Sequence, residues 1–389
     1  MHVVQLLPEL QEGGAERVVL DLNRELVRRG VASTVISRGG RLVAQVEADG
    51  GRHIRLDVCS KNPLTFPLRA LRLRRTLATL SPDLVHVHSR LPAWLLRVAN
   101  RRLGLPVVAA VHGLNRPGWY SRILTRSARI HCVSQVVRAH LRRHYNTPDS
   151  QMRIAYPGVN VERFDPARID LDFVEYFRRT HRLDGHFIVT SVGRLAPGKD
   201  YETFIRGIQA ARAQIPNIVG VIVGAGHRRH CRYERRLQNL VRTSGMADAI
   251  RFAGQQDQMA EIYAISDAVV SCSAKAESFG RTLAEALAMN TPVVATAHGG
   301  ALEIVREKID GFLFAPRDES ALARCLETLR QQAPWRDLRA GILQRFALER
   351  TMDDILVIYR EAQEATAYNS ACLPLPLPSG ALRPREVTA

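Results

Sequence analysis

Ile188-Val189-Thr190-Ser191-Val192-Gly193-Arg194-Leu195-Ala196-Pro197-Gly198-Lys199-Asp200 reads as a β-branched strand that stops at Val192, then a loop shaped by glycine and proline. A helix begins near Tyr201. A strand this apolar is buried on both faces, and a strand that feeds a helix through a short loop is the unit of a parallel sheet. The unit recurs along the chain. Upstream, strands are predicted at 3–7, 32–37, 83–87, 107–111 and 130–133; downstream, at 188–192, 219–223, 250–253, 268–271 and 293–295. Val18, Val19, Leu22 and Leu26 recur at helical spacing, which predicts a helix over 15–29 ending near Gly30. Two doubly wound α/β halves follow, since 389 residues exceed the usual size of one core.

The halves meet where Tyr156-Pro157-Gly158 through Asp165-Pro166 breaks periodicity, ahead of a helical segment at 172–181. This predicts an N-terminal domain over 1–165 and a C-terminal domain over 166–350. A closing segment follows over 351–367, with its helix at 352–365. The proline-rich end, 368–389, reads as disordered or polyproline-like.

The formal charge of +17 is unevenly distributed. Residues 1–165 carry 26 Lys and Arg against 12 Asp and Glu, a net +14, leaving +3 for the rest. A field of that sign attracts anionic lipid headgroups or an anionic acceptor. The plainer reading is a general abundance of arginine, since only Lys61, Lys199, Lys275 and Lys308 are lysines. Nucleic acid is not an expected partner, because no recognition module or interleaving of basic and aromatic residues is present. The six cysteines are scattered without metal-ligand spacing, so no metal or disulfide is expected. No run of apolar residues has membrane-spanning length, and Met1 opens directly into a strand, which predicts a cytoplasmic protein.

Three segments can carry chemistry. Gly13-Gly14-Ala15-Glu16 lies between a strand and a helix, where free N–H groups and the positive dipole end suit a phosphate; an ordinary tight turn explains it equally. Arg194 and Lys199, five apart beyond a parallel strand's carboxyl end, can hold a diphosphate, and the scarcity of lysine singles out Lys199. Asp200 reads as the helix N-cap. The third, Glu277-Ser278-Phe279-Gly280-Arg281-Thr282-Leu283-Ala284-Glu285, sets two carboxylates on either side of a helix start. One can accept from sugar hydroxyls and the other from ribose hydroxyls; the alternative is two solvated glutamates.

Together with His112-Gly113, Pro157-Gly158-Val159-Asn160, Phe164, Gly193 and Gly224-Ala225-Gly226, these segments resemble, in order over residues 1 to 365, the retaining GT-B glycosyltransferases of family 4. The resemblance implies an α/β protein of GT-B type, with two Rossmann-like doubly wound domains facing a central cleft. It implies that Arg194 and Lys199 neutralise the diphosphate of a nucleotide-sugar donor, that Glu277 binds the donor sugar and that Glu285 binds the ribose. Phe279, Gly280, Arg281 and the following amides would approach the phosphates, as would Gly193 and Gly224. His112 would face the sugar across the cleft; on its own residues it reads as a loop histidine capping a backbone group. Gly13 and Gly14 would lie near the phosphates or acceptor, and the last helix would cross back to the first domain. Asp200 and Asn160 depart from the family's usual residues without removing a needed charge.

Ser60-Lys61-Asn62-Pro63-Leu64 and Val85-His86-Val87-His88-Ser89-Arg90 further resemble bacterial enzymes of lipopolysaccharide core and other surface-glycan assembly. The expected activity is therefore sugar transfer, with retention, to a glycan or glycolipid acceptor. No cofactor or metal is expected, and the basic first domain would dock peripherally on the anionic inner face of the cytoplasmic membrane. Rival readings are a UDP-sugar 2-epimerase, a glucan phosphorylase, for which the chain is too short, and a non-catalytic protein that binds anionic surfaces.

Overall fold

The structure is a computed structural model describing residues 1–11, 13–226 and 231–371, with backbone alone for 231 and 369–371. His2–Leu6 (β1), Ala32–Ser37 (β2), Arg52–Arg55 (β3), Leu84–Val87 (β4), Val107–Val111 (β5), Arg129–Cys132 (β6) and Met152–Ile154 (β7) form one parallel sheet, ordered β3-β2-β1-β4-β5-β6-β7. Phe187–Val192 (β8), Ile218–Val223 (β9), Ile250–Gly254 (β10), Ala268–Ser271 (β11), Val293–Thr296 (β12) and Gly311–Phe314 (β13) form the second, ordered β10-β9-β8-β11-β12-β13. Both are doubly wound. In such sheets ligands gather outside the carboxyl ends of the strands where the order reverses, here between β1 and β4 and between β8 and β11.

Each sheet is covered on both faces, which is why its central strands are almost wholly apolar. One face of the first sheet presents Val4, Leu6, Val85, Val87 and Ala109 to Leu73, Leu77, Leu95 and Leu96 of the helices Phe66–Leu80 and Arg90–Ala99. On the other, Val3, Leu84 and Val108 meet Val18, Leu22 and Leu26 of the helix Gly14–Arg28. Met352, Ile355, Ile358, Tyr359 and Ala362 of the final helix, Leu348–Ala371, share that core, so the chain's last helix packs on its first sheet. The two crossings between halves lie side by side: Val159 N–H donates to the Phe346 carbonyl at 2.8 Å and Leu348 N–H to the Val159 carbonyl at 3.1 Å.

The three strands not predicted, β3, β7 and β13, all lie at sheet edges. β3 and β7 are short and partly exposed, so they carry little apolar signal. β13, Gly311-Phe-Leu-Phe314, is apolar and largely buried but opens on Asp310-Gly311, which reads as a turn. Here glycine is needed because a Cβ would overlap the Val293 carbonyl on the neighbouring strand, at a φ of 146°. The final helix corrects the predicted 352–365: it extends through 368–371, four residues read as part of the tail, because no proline or glycine interrupts the sequence before Pro374. The remainder of the proline-rich tail lies outside the described residues, and no described helix is long and apolar enough to cross a membrane.

Candidate active site

At the end of β9, Gly224 takes a φ of 138°, and a Cβ there would overlap the Gly193 carbonyl at the end of β8. The two strand ends can touch only because residue 224 is glycine. The Tyr201 hydroxyl donates to the same Gly193 carbonyl at 2.8 Å, fixing the turn from which Arg194 emerges, exposed and without a hydrogen bond among the described residues. Asp200 caps the helix Tyr201–Ala211, accepting from the Thr203 hydroxyl at 2.8 Å.

Lys199 Nζ donates to Glu277 Oε1 at 2.7 Å. The loops after β8 and β11 are also joined by Ala274 N–H donating to the Gly198 carbonyl at 3.0 Å. Ser271 and Ser273, two apart where β11 runs out, donate to the same carboxylate oxygen, Ser271 at 3.4 Å. Burial drives the Glu277 carboxyl pKa upward, but the Lys199 charge and these donors outweigh it and hold the group below its ordinary value. Glu277 is thus an oriented carboxylate. The sequence assigned Lys199 and Glu277 to different parts of a ligand; the structure pairs them directly.

Gly280 starts the helix Arg281–Ala288. Arg281, on its first turn, donates from Nη2 to Asp21 at 3.0 Å and from Nε to Glu285 at 3.3 Å. Burial works against its charge, yet Asp21 and Glu285 raise its pKa above the ordinary value. Glu285 also accepts from the Tyr263 hydroxyl at 3.3 Å. The Phe279 side chain is turned away from the cleft into a core with Tyr156 and Phe346, ring centroids 5.9 and 5.4 Å away, which leaves only its backbone for the site.

The opposing wall comes from the first half. Gly13 and Gly14 open the helix carrying Asp21, with the Glu16 carboxylate folded against Gly13. Burial raises the Glu16 pKa while its own backbone N–H and the Arg194 charge oppose it, so the cationic loop lies within electrostatic reach of the glycine loop. The Ser278 hydroxyl donates to the His112 carbonyl at 2.6 Å, and the His112 ring is hydrogen-bonded to His88 at 3.0 Å. His112 is therefore no isolated loop capper.

Sequence reasoning missed Asp21, Tyr263, Ser271, Ser273, Ser278 and His88. The serine alternation beyond β11 and the His86/His88 alternation were visible signals; Asp21 was not, because its partner lies 260 residues away.

The sequence pattern of the family described as "Glycosyltransferase Family 4" matches residues 12–163, and that of "Glycosyl transferases group 1" matches residues 173–339. The chain belongs to the family 4 glycosyltransferases. This transferase is 28% identical, over 393 residues, to a D-inositol 3-phosphate glycosyltransferase of Salinispora tropica, covering 90% of its own length and 81% of the relative's. Its fold matches a Rickettsia africae glycosyltransferase with a TM-score of 0.84 and 26% identity, covering 93% of this chain and 98% of that one. It also matches the Anabaena protein Alr3699/HepE, solved with UDP-glucose, with a TM-score of 0.79 and 21% identity over 95% of this chain and 100% of the other. Two Rossmann-like domains face a central cleft, the GT-B architecture the motifs implied.

Proposed function

We propose that this glycosyltransferase moves a sugar, with retention at the anomeric carbon, from a nucleoside-diphosphate sugar to a hydroxyl of a glycan or glycolipid acceptor in lipopolysaccharide-core or other surface-polysaccharide assembly. The observation that carries the reading is the Lys199–Glu277 pair at 2.7 Å, bridging the loops after the two strands that flank the order reversal. A cation and a carboxylate there meet the two ends of one ligand, a diphosphate and a sugar. The departing diphosphate gains charge as the glycosidic bond breaks, so Arg194, Lys199 and the amides after Gly280 stabilise the transition state more than the ground state. These fixed charges take the place of a divalent cation. Glu285 takes the ribose hydroxyls and Glu277 the sugar hydroxyls, and no protein nucleophile is invoked.

The acceptor assignment draws on the first half, whose +14 charge is accompanied by exposed Leu64, Leu68, Val98 and Trp119, the composition of a surface that docks on anionic membranes. A second reading is favoured by the relatives named D-inositol 3-phosphate glycosyltransferase: a phosphorylated polyol acceptor would answer the same arginines.

The test is a panel of UDP-, GDP- and ADP-sugars read by thermal stabilisation and by nucleotide release, with lipopolysaccharide core or inositol phosphate as acceptor and with or without EDTA. One donor should raise the melting temperature, and release should quicken with one acceptor and be indifferent to EDTA. A ligand at 100-fold its Kd stabilises the native state by about 2.7 kcal/mol. If no donor shifts the transition or is consumed, the proposal fails.

A further inference from the structure

Four histidines lie together at the carboxyl edge of the first sheet: His86 and His88 at and just past β4, His112 just past β5, and His131 on β6. Their ring centroids are 4.2 Å apart for His86–His88, 5.2 Å for His88–His112, 5.5 Å for His86–His131 and 6.3 Å for His112–His131. His86 Nδ1 is bonded to the Tyr359 hydroxyl at 2.9 Å, His131 Nε2 to the Ala155 carbonyl at 2.8 Å, and His88 Nδ1 to His112 Nε2 at 3.0 Å. His86 Nε2, His88 Nε2 and His131 Nδ1 are sealed from solvent with no partner. The remaining nitrogen, His112 Nδ1, has no hydrogen-bond partner among the described residues, and the Arg281 charge reaches its ring. Burial lowers the pKa of all four, to about 3 for His112 and about 4 for His131, so each ring is neutral at neutral pH and carries one proton.

His131 shows where that proton goes. A carbonyl can only accept, so Nε2 holds the proton and the sealed Nδ1 is a bare lone pair. This is the cheaper arrangement, since a buried N–H without an acceptor costs more than an unused lone pair. For His88, the same choice leaves Nε2 bare and puts the proton on Nδ1, which donates it to His112 Nε2. His112 Nε2 is then the acceptor, and its own proton must sit on Nδ1.

We propose that His88 is a positioning residue that locks His112 in its Nδ1–H tautomer, so that the cleft receives a hydrogen-bond donor aimed at an oxygen of the donor sugar rather than a base. The proposal rests on the reading of the cleft as a sugar-nucleotide site, but the tautomer is measurable without any donor. In the full chain labelled with ¹⁵N-histidine and assigned with His112→Asn, His112 should show a protonated Nδ1 and a bare Nε2. His88→Asn, which can keep a donor at the Nδ1 place, should preserve that spectrum and hold kcat/KM for the nucleotide sugar within about threefold. His88→Leu should lose the tautomer preference and about tenfold in kcat/KM, the equivalent of one hydrogen bond. Its affinity for the free nucleoside diphosphate, which lacks the transferred sugar, should be unchanged. A proton on His112 Nε2 in the parent protein overturns the proposal whether or not the variants fold. So does a His88→Leu protein that weakens free-nucleotide binding as much as turnover. If the tautomer is as stated but no nucleotide sugar is consumed, the donor-site reading fails and the lock stands.

Discussion

Glu277 has two competing demands on one carboxylate. Lys199 and two serines hold it, and in the proposed reaction it must share itself with sugar hydroxyls while Lys199 turns to the diphosphate. Glu277→Gln keeps the shape and removes the charge, which frees the Lys199 ammonium from its strongest partner. Binding of the nucleoside diphosphate should hold or tighten, while turnover falls about tenfold or more, because hydrogen bonds to a charged acceptor are worth roughly 1.5–3 kcal/mol. Titration calorimetry set beside steady-state rates reads that split, and a joint loss of nucleotide affinity would show that Glu277 serves the loop's fold instead. At this scale the sequence was most informative where a residue was rare or regularly spaced. Lys199, one of four lysines, stood out against 51 arginines, as did the two glutamates on either side of a helix start. The Phe279 side chain packs into the core, which the motif does not reveal because it names a residue without saying which way the side chain turns.

The elements carry a stability signature of their own. The edge formed by β4, β5 and β6 buries His86, His88, His112 and His131 as neutral rings, with pKa values below the ordinary 6.5. Below about pH 6.5 the unfolded chain takes up protons that the folded chain refuses, so stability falls as pH falls, until the folded values near 4 and 3 are reached. All four rings act in the same direction, so their losses accumulate as the pH falls. The melting temperature should therefore drop by many degrees between pH 7 and pH 5, and a flat profile over that range would show the rings to be solvated. Ten of the thirteen described strands were legible: nine are central and, covered on both faces, must be continuously apolar, and the edge strand β10 still carries Ile250, Phe252 and Ala253. β3, with the sequence Arg52-His-Ile-Arg55, was not, since an edge needs no such run and charge there guards against mispairing.

At the scale of the whole molecule, the cleft is closed by contacts that no local pattern encodes. Arg281 reaches Asp21 at 3.0 Å. Glu303 accepts the Gln135 and Val136 N–H groups at 2.9 Å each and the Tyr156 hydroxyl at 2.9 Å, so a carboxylate of the second half caps a helix of the first. These contacts bring Glu16 of the glycine loop within electrostatic reach of Arg194, with Lys199 and Glu277 in the adjoining loops. Closure of this kind excludes water and strengthens every charge inside. Two cations acting on a leaving diphosphate across such a cleft are the centre of the account. The most direct measurement is the rate of nucleoside-diphosphate release at saturating donor and acceptor for Lys199→Ala and Arg194→Ala, each checked for an unchanged fold. Arg194 is exposed and makes no hydrogen bond among the described residues, so its loss breaks none of the described contacts that hold the fold. Each variant should be slowed about a hundredfold, the cost of one charge-assisted contact made chiefly in the transition state. Rates within a few-fold of the parent, with the fold intact, would contradict it.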